Sequence, residues 1–213
     1  MRRAGRASTR SRVCRAKEPD VPTWILLAFL GLGLAAATGL RTFLPLLMLA
    51  LAARFGLFGV NLNGAFAWLT SSGALIALSV ATVVELAADK IPMVDHALSA
   101  IGTISRPVAG ALAAGSVFNH ADPAIAILAG LIIGAPTALA MHTAQTSARL
   151  ISSTTTGGLA NPIVSITEDI GSAALSATSL IMPILAPILV AILLFWAWRV
   201  WSMMRRVRGP KAD

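Results

Sequence analysis

A chain of 213 residues that is 56% hydrophobic and 12% charged, with a mean hydropathy of +0.78, lies well outside the range of a soluble domain of its size. The formal net charge of +8 does not mark a nucleic-acid surface, because the positive residues collect at the two ends of the chain. The composition places the protein in a lipid bilayer. Its apolar runs of Ala, Leu, Ile and Val lack the alternation of a membrane strand, so helices are expected and a barrel is not.

The segment 1–22 carries Arg2, Arg3, Arg6, Arg10, Arg12, Arg15 and Lys17 with little to bury, and is expected to form a disordered cytoplasmic tail. Its Cys14, the only cysteine, has no disulfide partner. A basic leader before an apolar stretch ending in AAATG has the outline of a signal peptide. The apolar run nevertheless continues past Arg41 to Ala53, so an uncleaved first helix from Trp24 is the simpler reading. That helix is too long for a straight crossing, and Gly39 and Pro45 mark where a bend or break is expected. After the polar turn GVNLNG, a second helix is expected from Ala65 to Ala88, with Trp68 at an interface and Glu85, Asp89 and Lys90 at its end.

Val94, Leu98 and Ile101 then recur at helical spacing between polar residues, the pattern of a helix lying on the membrane surface. The purely apolar part that follows, Pro107 to Phe118, would reach only about 18 Å as helix, half a bilayer. After NHADP, a clean apolar helix is expected from Ala124 through Met141 to Arg149. The last runs from Ala173 to Trp201, contains Pro183 and Pro187, and ends in a Trp- and Arg-rich border followed by a basic tail, 204–213. The whole is an all-α, polytopic helical membrane domain over 23–203, with four long crossing helices and two short segments beginning near Pro107 and Pro162. If the short segments are re-entrant the crossings number four, and if both span, six. Both counts put the two basic termini on the cytoplasmic side of a cytoplasmic membrane. In each half an apolar helix ends in polar residues, followed by a Ser/Thr/Gly loop, an X-Pro and a short apolar helix, the outline of an internal repeat.

The stretch TTTGGLANPIVSITEDIG, from Thr154 to Gly171, is the most polar of the interior. Asn161 before Pro162 is a good helix start, since Asn caps a free N–H and Pro has none to leave orphaned. The stretch therefore reads as an extended segment, with hydroxyls at Thr154, Thr155 and Thr156, leading into a short helix that carries Glu168 and Asp169. Non-helical backbone at membrane depth survives only where protein covers it or water lines it, which points to a polar interior.

The stretches GLRTFLPLL, ELAADKIPMVDHALSAIGTISRPVAGAL, MHTAQTSARL and TTGGLANPIVSITEDI, in this order, resemble a bacterial integral-membrane family catalogued as domain of unknown function 4126. The resemblance runs from about Ala35 to Leu194. It implies a polytopic membrane protein and carries no activity with it.

Arg41 and Glu85 each lie 17 residues beyond a tryptophan, Trp24 and Trp68, or about 26 Å along a helix, near an interface. Glu85 and Asp89 share a face, and pairing with Lys90 or Arg106 is favoured over a cation site. His142, Gln145 and Arg149 share another face, a candidate polar lining or proton-sensitive site. His96, His120 and His142 have no metal-ligand spacing, and no catalytic motif is present, so neither metal, cofactor nor enzymatic activity is expected. The leading expectation is a small transporter or channel moving a solute or ion along a path lined by Asn161, Thr154 to Thr156, His142 and one or more of Glu85, Arg106 and Glu168. The alternative is a scaffold or lipid-binding protein, alone or as a homo-oligomer, in which the same groups tie helices together.

Overall fold

The computed structural model describes residues 21–88, 92–157, 159 and 161–207, so Asp89, nearly all of the first basic tail and residues 208–213 of the second lie outside the described residues, while 204–207 belong to the last helix. Among those described there is no strand. The chain forms α1 (Val21–Leu40), α2 (Phe43–Arg54), a 3-10 segment (Gly64–Thr70), α3 (Ser72–Ala88) and α4 (Pro92–Ser116). Then come α5 (Pro123–Ala129), a π-helical turn (Gly130–Gly134), α6 (Ala135–Thr156), α7 (Asn161–Ile181) and, after a 3-10 turn at Pro183–Leu185, α8 (Ala186–Val207). Thr23–Leu40 and part of Pro123–Thr156 are long and apolar enough to cross a bilayer. Gly64–Thr70 with Ser72–Ala88, bent by 65°, makes a third if taken as one span.

Glycines set how closely the helices approach. A Cβ on Gly110 would lie 2.6 Å from the Ala138 Cβ, one on Gly115 would lie 2.8 Å from the Ala126 carbonyl oxygen, and one on Gly130 would come within 2.9 Å of Gly115. A Cβ on Gly134 would strike the carbonyl of Gly110. Backbone therefore meets backbone along α4 and α5–α6, the small-residue contact that substitutes for a hydrophobic driving force inside lipid. The π turn between α5 and α6 has a local cause: Pro136 has no N–H to return to the carbonyl four residues earlier, at Ile132, so the ladder widens there.

The same contacts fix direction. Gly31 faces Ala114 while Arg106 reaches Gly39, so α1 and α4 are antiparallel. Gly115 faces Ala126 and Gly110 faces Ala138, so α4 and α5–α6 are antiparallel too. Trp24 stacks on Phe118 at one end of this bundle, with ring centroids 6.0 Å apart, and Arg41 lies at the other. Helix α7 enters beside Arg41 and descends along α1: Ser172 Oγ donates to the Ala37 carbonyl, and Ser179 packs at Gly33. There the chain turns. Ala186, the first residue of α8, also packs at Gly33, and Val190 joins the cluster of Ala36, Ala37, Leu40, Met141 and Leu175. Helices α7 and α8 thus form a hairpin whose tip, near Pro183, lies against the middle of α1.

Several boundaries differ from the sequence reading, each for a physical reason. The expected Trp24-to-Ala53 helix is two helices, broken at Arg41–Thr42, and Pro45 sits in the first turn of α2, where its missing N–H has no partner to lose. The expected Ala65-to-Ala88 helix begins as the bent 3-10 segment, started by Asn63, whose side chain accepts from the Ala65 N–H at 3.0 Å. Pro107 starts no short segment. It lies inside α4, which is continuous from Pro92 to Ser116. Thr154 to Thr156 are not extended but form the last turn of α6, and the helix beginning at Asn161 is 21 residues long rather than short. The expected Ala173-to-Trp201 helix is split at Met182 between α7 and α8.

Replacing Gly134 by Ala inserts a methyl against the α4 backbone and is expected to lower stability by about 1–3 kcal/mol. Gly73→Ala, where nothing lies within 4 Å, should instead stabilise by about 0.4–1 kcal/mol through the unfolded chain. Thermal unfolding of both variants in one detergent checks the contrast.

Candidate functional site

A helix that stops inside a bundle leaves carbonyls without donors at its C-terminus, and the next helix leaves N–H groups without acceptors. The break at Arg41–Thr42 presents both. On the carbonyl side, Arg106 Nη1 donates to Gly39 O at 3.0 Å, and Ser172 Oγ adds a second bond at 3.0 Å to Ala37 O, which also accepts from Arg41 N. On the N–H side, Glu85 accepts from Thr42 N at 2.8 Å with Oε1 and from Phe43 N at 3.1 Å with Oε2. A cation therefore meets the negative end of α1, and a carboxylate caps the positive end of α2, the signs the helix dipoles favour.

Around this break the structure gathers a buried charge cluster. Arg41, 1% exposed, contacts Asp169 through Nε at 2.5 Å and Glu168 through Nη2 at 3.8 Å. Its Nη2 also donates to Ser165 Oγ at 3.0 Å and to the Ser165 carbonyl at 3.2 Å. Glu168 accepts from Arg149, with a shortest distance of 2.5 Å, and from Gln145 Nε2 at 2.6 Å. Gln145 Oε1 in turn accepts from Arg106. Arg106 Nη1 also meets His142 Nδ1 at 2.6 Å. A guanidinium can only donate, so Nδ1 is the bare acceptor and the imidazole proton sits on Nε2, which faces Thr103 Oγ1 at 3.4 Å. Among the described residues, Arg41, Arg106 and Arg149 balance Glu85, Glu168 and Asp169. Taking such groups out of water costs several kcal/mol per ion, and only this density of mutual hydrogen bonds offsets it.

The candidates from sequence thus divide. Arg41, Glu85, Arg106, His142, Gln145, Glu168 and Asp169 come together from the break between α1 and α2 and from α3, α4, α6 and α7. Thr154, Thr155 and Thr156 do not join them: their hydroxyls donate back to the carbonyls of Ile151 and Ser152, on the exposed last turn of α6. Asn161 is also elsewhere, its Nδ2 donating to Ser153 Oγ at 3.0 Å. Asp89 lies outside the described residues. Pairing of Glu85 with Arg106 gives way to its role as cap of α2, an interaction with backbone that no side-chain pattern announces.

Ser165 and Thr103 were not singled out from sequence. Ser165, three residues before Glu168 and so on the same helical face, carried the signal that could have found it.

A family model described as a domain of unknown function, DUF4126, matches residues 28–203, from within α1 to within α8. The chain belongs to the DUF4126 family. Neither the curated proteins nor the solved structures contain a match to it. Every member of the charge cluster falls inside the part that matches DUF4126.

Glu85→Ala leaves two buried N–H groups of α2 without acceptors and is expected to cost about 1.5–3 kcal/mol for each charged hydrogen bond lost. Hydrogen exchange followed by mass spectrometry should show faster exchange in the peptide holding Thr42 and Phe43, with the α4–α6 contact unchanged. Glu85→Gln, which keeps one acceptor oxygen, should fall between.

Proposed function

We propose that this DUF4126 chain is a small membrane transport protein, with the charge cluster as a closed gate at one end of its helical bundle. One observation carries this reading: a helix is broken inside the bundle, and its free ends are held by ionisable side chains from other helices. Discontinuous helices with charged groups at their ends are how secondary transporters build solute and ion sites. Ionisable groups at membrane depth are costly and mark pathways and relays by default. In this reading the re-entrant element is the α7–α8 hairpin, entering beside Arg41 and turning at Pro183, not the segments after Pro107 and Pro162.

The charge balance of the cluster among the described residues favours a second reading, in which the network is a static clamp in a scaffold or lipid-binding protein. Flux separates the two. Reconstituted protein should move one or more members of a panel of ions and small metabolites above the rate of empty liposomes. Glu168→Gln, which weakens the contacts to Arg149 and Arg41 while keeping an amide for hydrogen bonding, should change that rate in protein that still elutes as folded. If no solute in the panel moves with either protein, the clamp reading stands instead.

Topology follows from the same path. With α1 across the bilayer of the cytoplasmic membrane, α8 leaves the hairpin toward the Arg41 end, whereas α1 enters at the Trp24 end. The basic flanks then lie on opposite sides, rather than sharing the cytoplasmic side that loop charge alone assigns. Single cysteines in a Cys14→Ser background test this. Asn119→Cys, next to the Phe118 that stacks on Trp24, and Ser202→Cys on α8 should react with an impermeant thiol reagent from opposite faces. Labelling of both from one face would refute this path.

A further inference from the structure

Three arginines share the buried cluster, but their counter-ions are shared unequally. Arg41 touches Glu168 and Asp169, and Arg149 touches Glu168, while Glu85 is taken up by the N–H groups of α2. Among the described residues no carboxylate touches Arg106, on which Glu85 and Glu168 act only through space. Its hydrogen bonds are lopsided as well. Gly39 O, His142 Nδ1 and Gln145 Oε1 all crowd Nη1, whereas Nε is buried with no partner and Nη2 makes no hydrogen bond among the described residues. Nε and Nη2 form the planar edge with which a guanidinium grips two oxygens of one carboxylate or phosphate at once. Arg106 as a whole is only 6% exposed and its Nε is fully enclosed, so bulk water does not compensate the Nε–H.

The neighbouring turn of α4 keeps the edge open. A Cβ on Gly102 would lie 3.2 Å from Arg106 Nε and 3.4 Å from His142 Cε1. Any residue but glycine there would bring a carbon to within 3.2 Å of Nε, closing space from which an acceptor could approach.

We propose that the Nε–Nη2 edge of Arg106, beside Gly102 and His142, is a binding site for a small oxyanion, a carboxylate or phosphate gripped by the unused side of the guanidinium. As the substrate class of the transport reading, the proposal rests on that reading. Its test is binding rather than flux, so a protein that binds an anion and moves nothing refutes transport alone, and one that moves solutes without binding refutes this site alone.

The full chain, purified in detergent, is titrated with sodium phosphate and with sodium acetate against sodium chloride at equal ionic strength, and read by thermal shift and calorimetry. The expected result is saturable stabilisation by phosphate or acetate beyond that by chloride. Arg106→Lys keeps the charge and removes the fork; Gly102→Ala keeps every existing hydrogen bond and fills the space. Each should weaken binding by about tenfold or more, the range for charged hydrogen bonds. Repeating the titration in nanodiscs of neutral lipid and of anionic lipid separates two sources of the oxyanion. Loss of the phosphate response in anionic lipid alone identifies a headgroup as the resident ligand, and its persistence identifies a free solute. The proposal is overturned by the absence of a saturable response to either anion in both detergent and neutral-lipid nanodiscs, or by wild-type affinity in folded Gly102→Ala and Arg106→Lys.

Discussion

Much of this structure depends on one constraint, that backbone polar groups out of reach of water must find partners within the protein. The chain breaks a helix at Arg41–Thr42 and thereby exposes donors and acceptors that an unbroken helix would hide. Arg106, Ser172 and Glu85 answer them, and each is itself polar and must be satisfied in turn. The cluster is the outcome of this chain of obligations: Arg106 brings in His142 and Gln145, Gln145 leads to Glu168, and Glu168 to Arg149 and Arg41. Removing any one member passes an unmet hydrogen bond to its neighbour, so the network is held as a unit more than as a set of pairs.

Close packing is what allows side chains from separate helices to reach one break. Glycines at 110, 115, 130 and 134 bring α4 and α5–α6 into backbone contact, and Gly33 lets the tip of the α7–α8 hairpin lie on α1. On α7 the buried serines 165, 172, 176 and 179 play a related part. They are small enough to pack tightly, and three of them hand their hydroxyl protons to carbonyls, Ser172 to Ala37 on α1, Ser176 to Ser172 and Ser179 to Leu175 on their own helix. A larger residue on either side would separate the helices and draw the charged groups apart.

The sequence announced the helical class and most members of the cluster, because each rests on composition or on helical periodicity. Arg41, Glu85, Arg106, His142, Gln145, Glu168 and Asp169 stood out as charges or amides in apolar surroundings. What local pattern could not give was connection. The partners of Glu85 are the main chain of residues 42 and 43, and backbone bonds made across the fold leave no trace in residue types. Proline misled at one X-Pro site and marked a true helix start at the other. Arg106-Pro107 has the form of a helix start, yet neighbouring helices hold α4 together through it. Asn161-Pro162 does begin a helix, but α7 buries enough of one face against α1 to run on well past its polar first turns. The threonines at 154 to 156 looked like the lining of an interior, whereas their hydroxyls are spent on the turn before them.

The widened turn at Gly130–Gly134 also governs phase. Residues four apart drift by about 40° per step around a regular helix, so a row at that spacing soon winds off any face it starts on. Ala126, Gly130, Gly134, Ala138 and His142 form such a row, and the π turn unwinds the helix enough to keep it aligned with α4 from Gly115 to Arg106. The imidazole is therefore aimed by a backbone irregularity well away from it. Loss of a single residue from that turn would rotate everything beyond it by about 100°, swinging His142 and Gln145 toward lipid while leaving their local sequence intact.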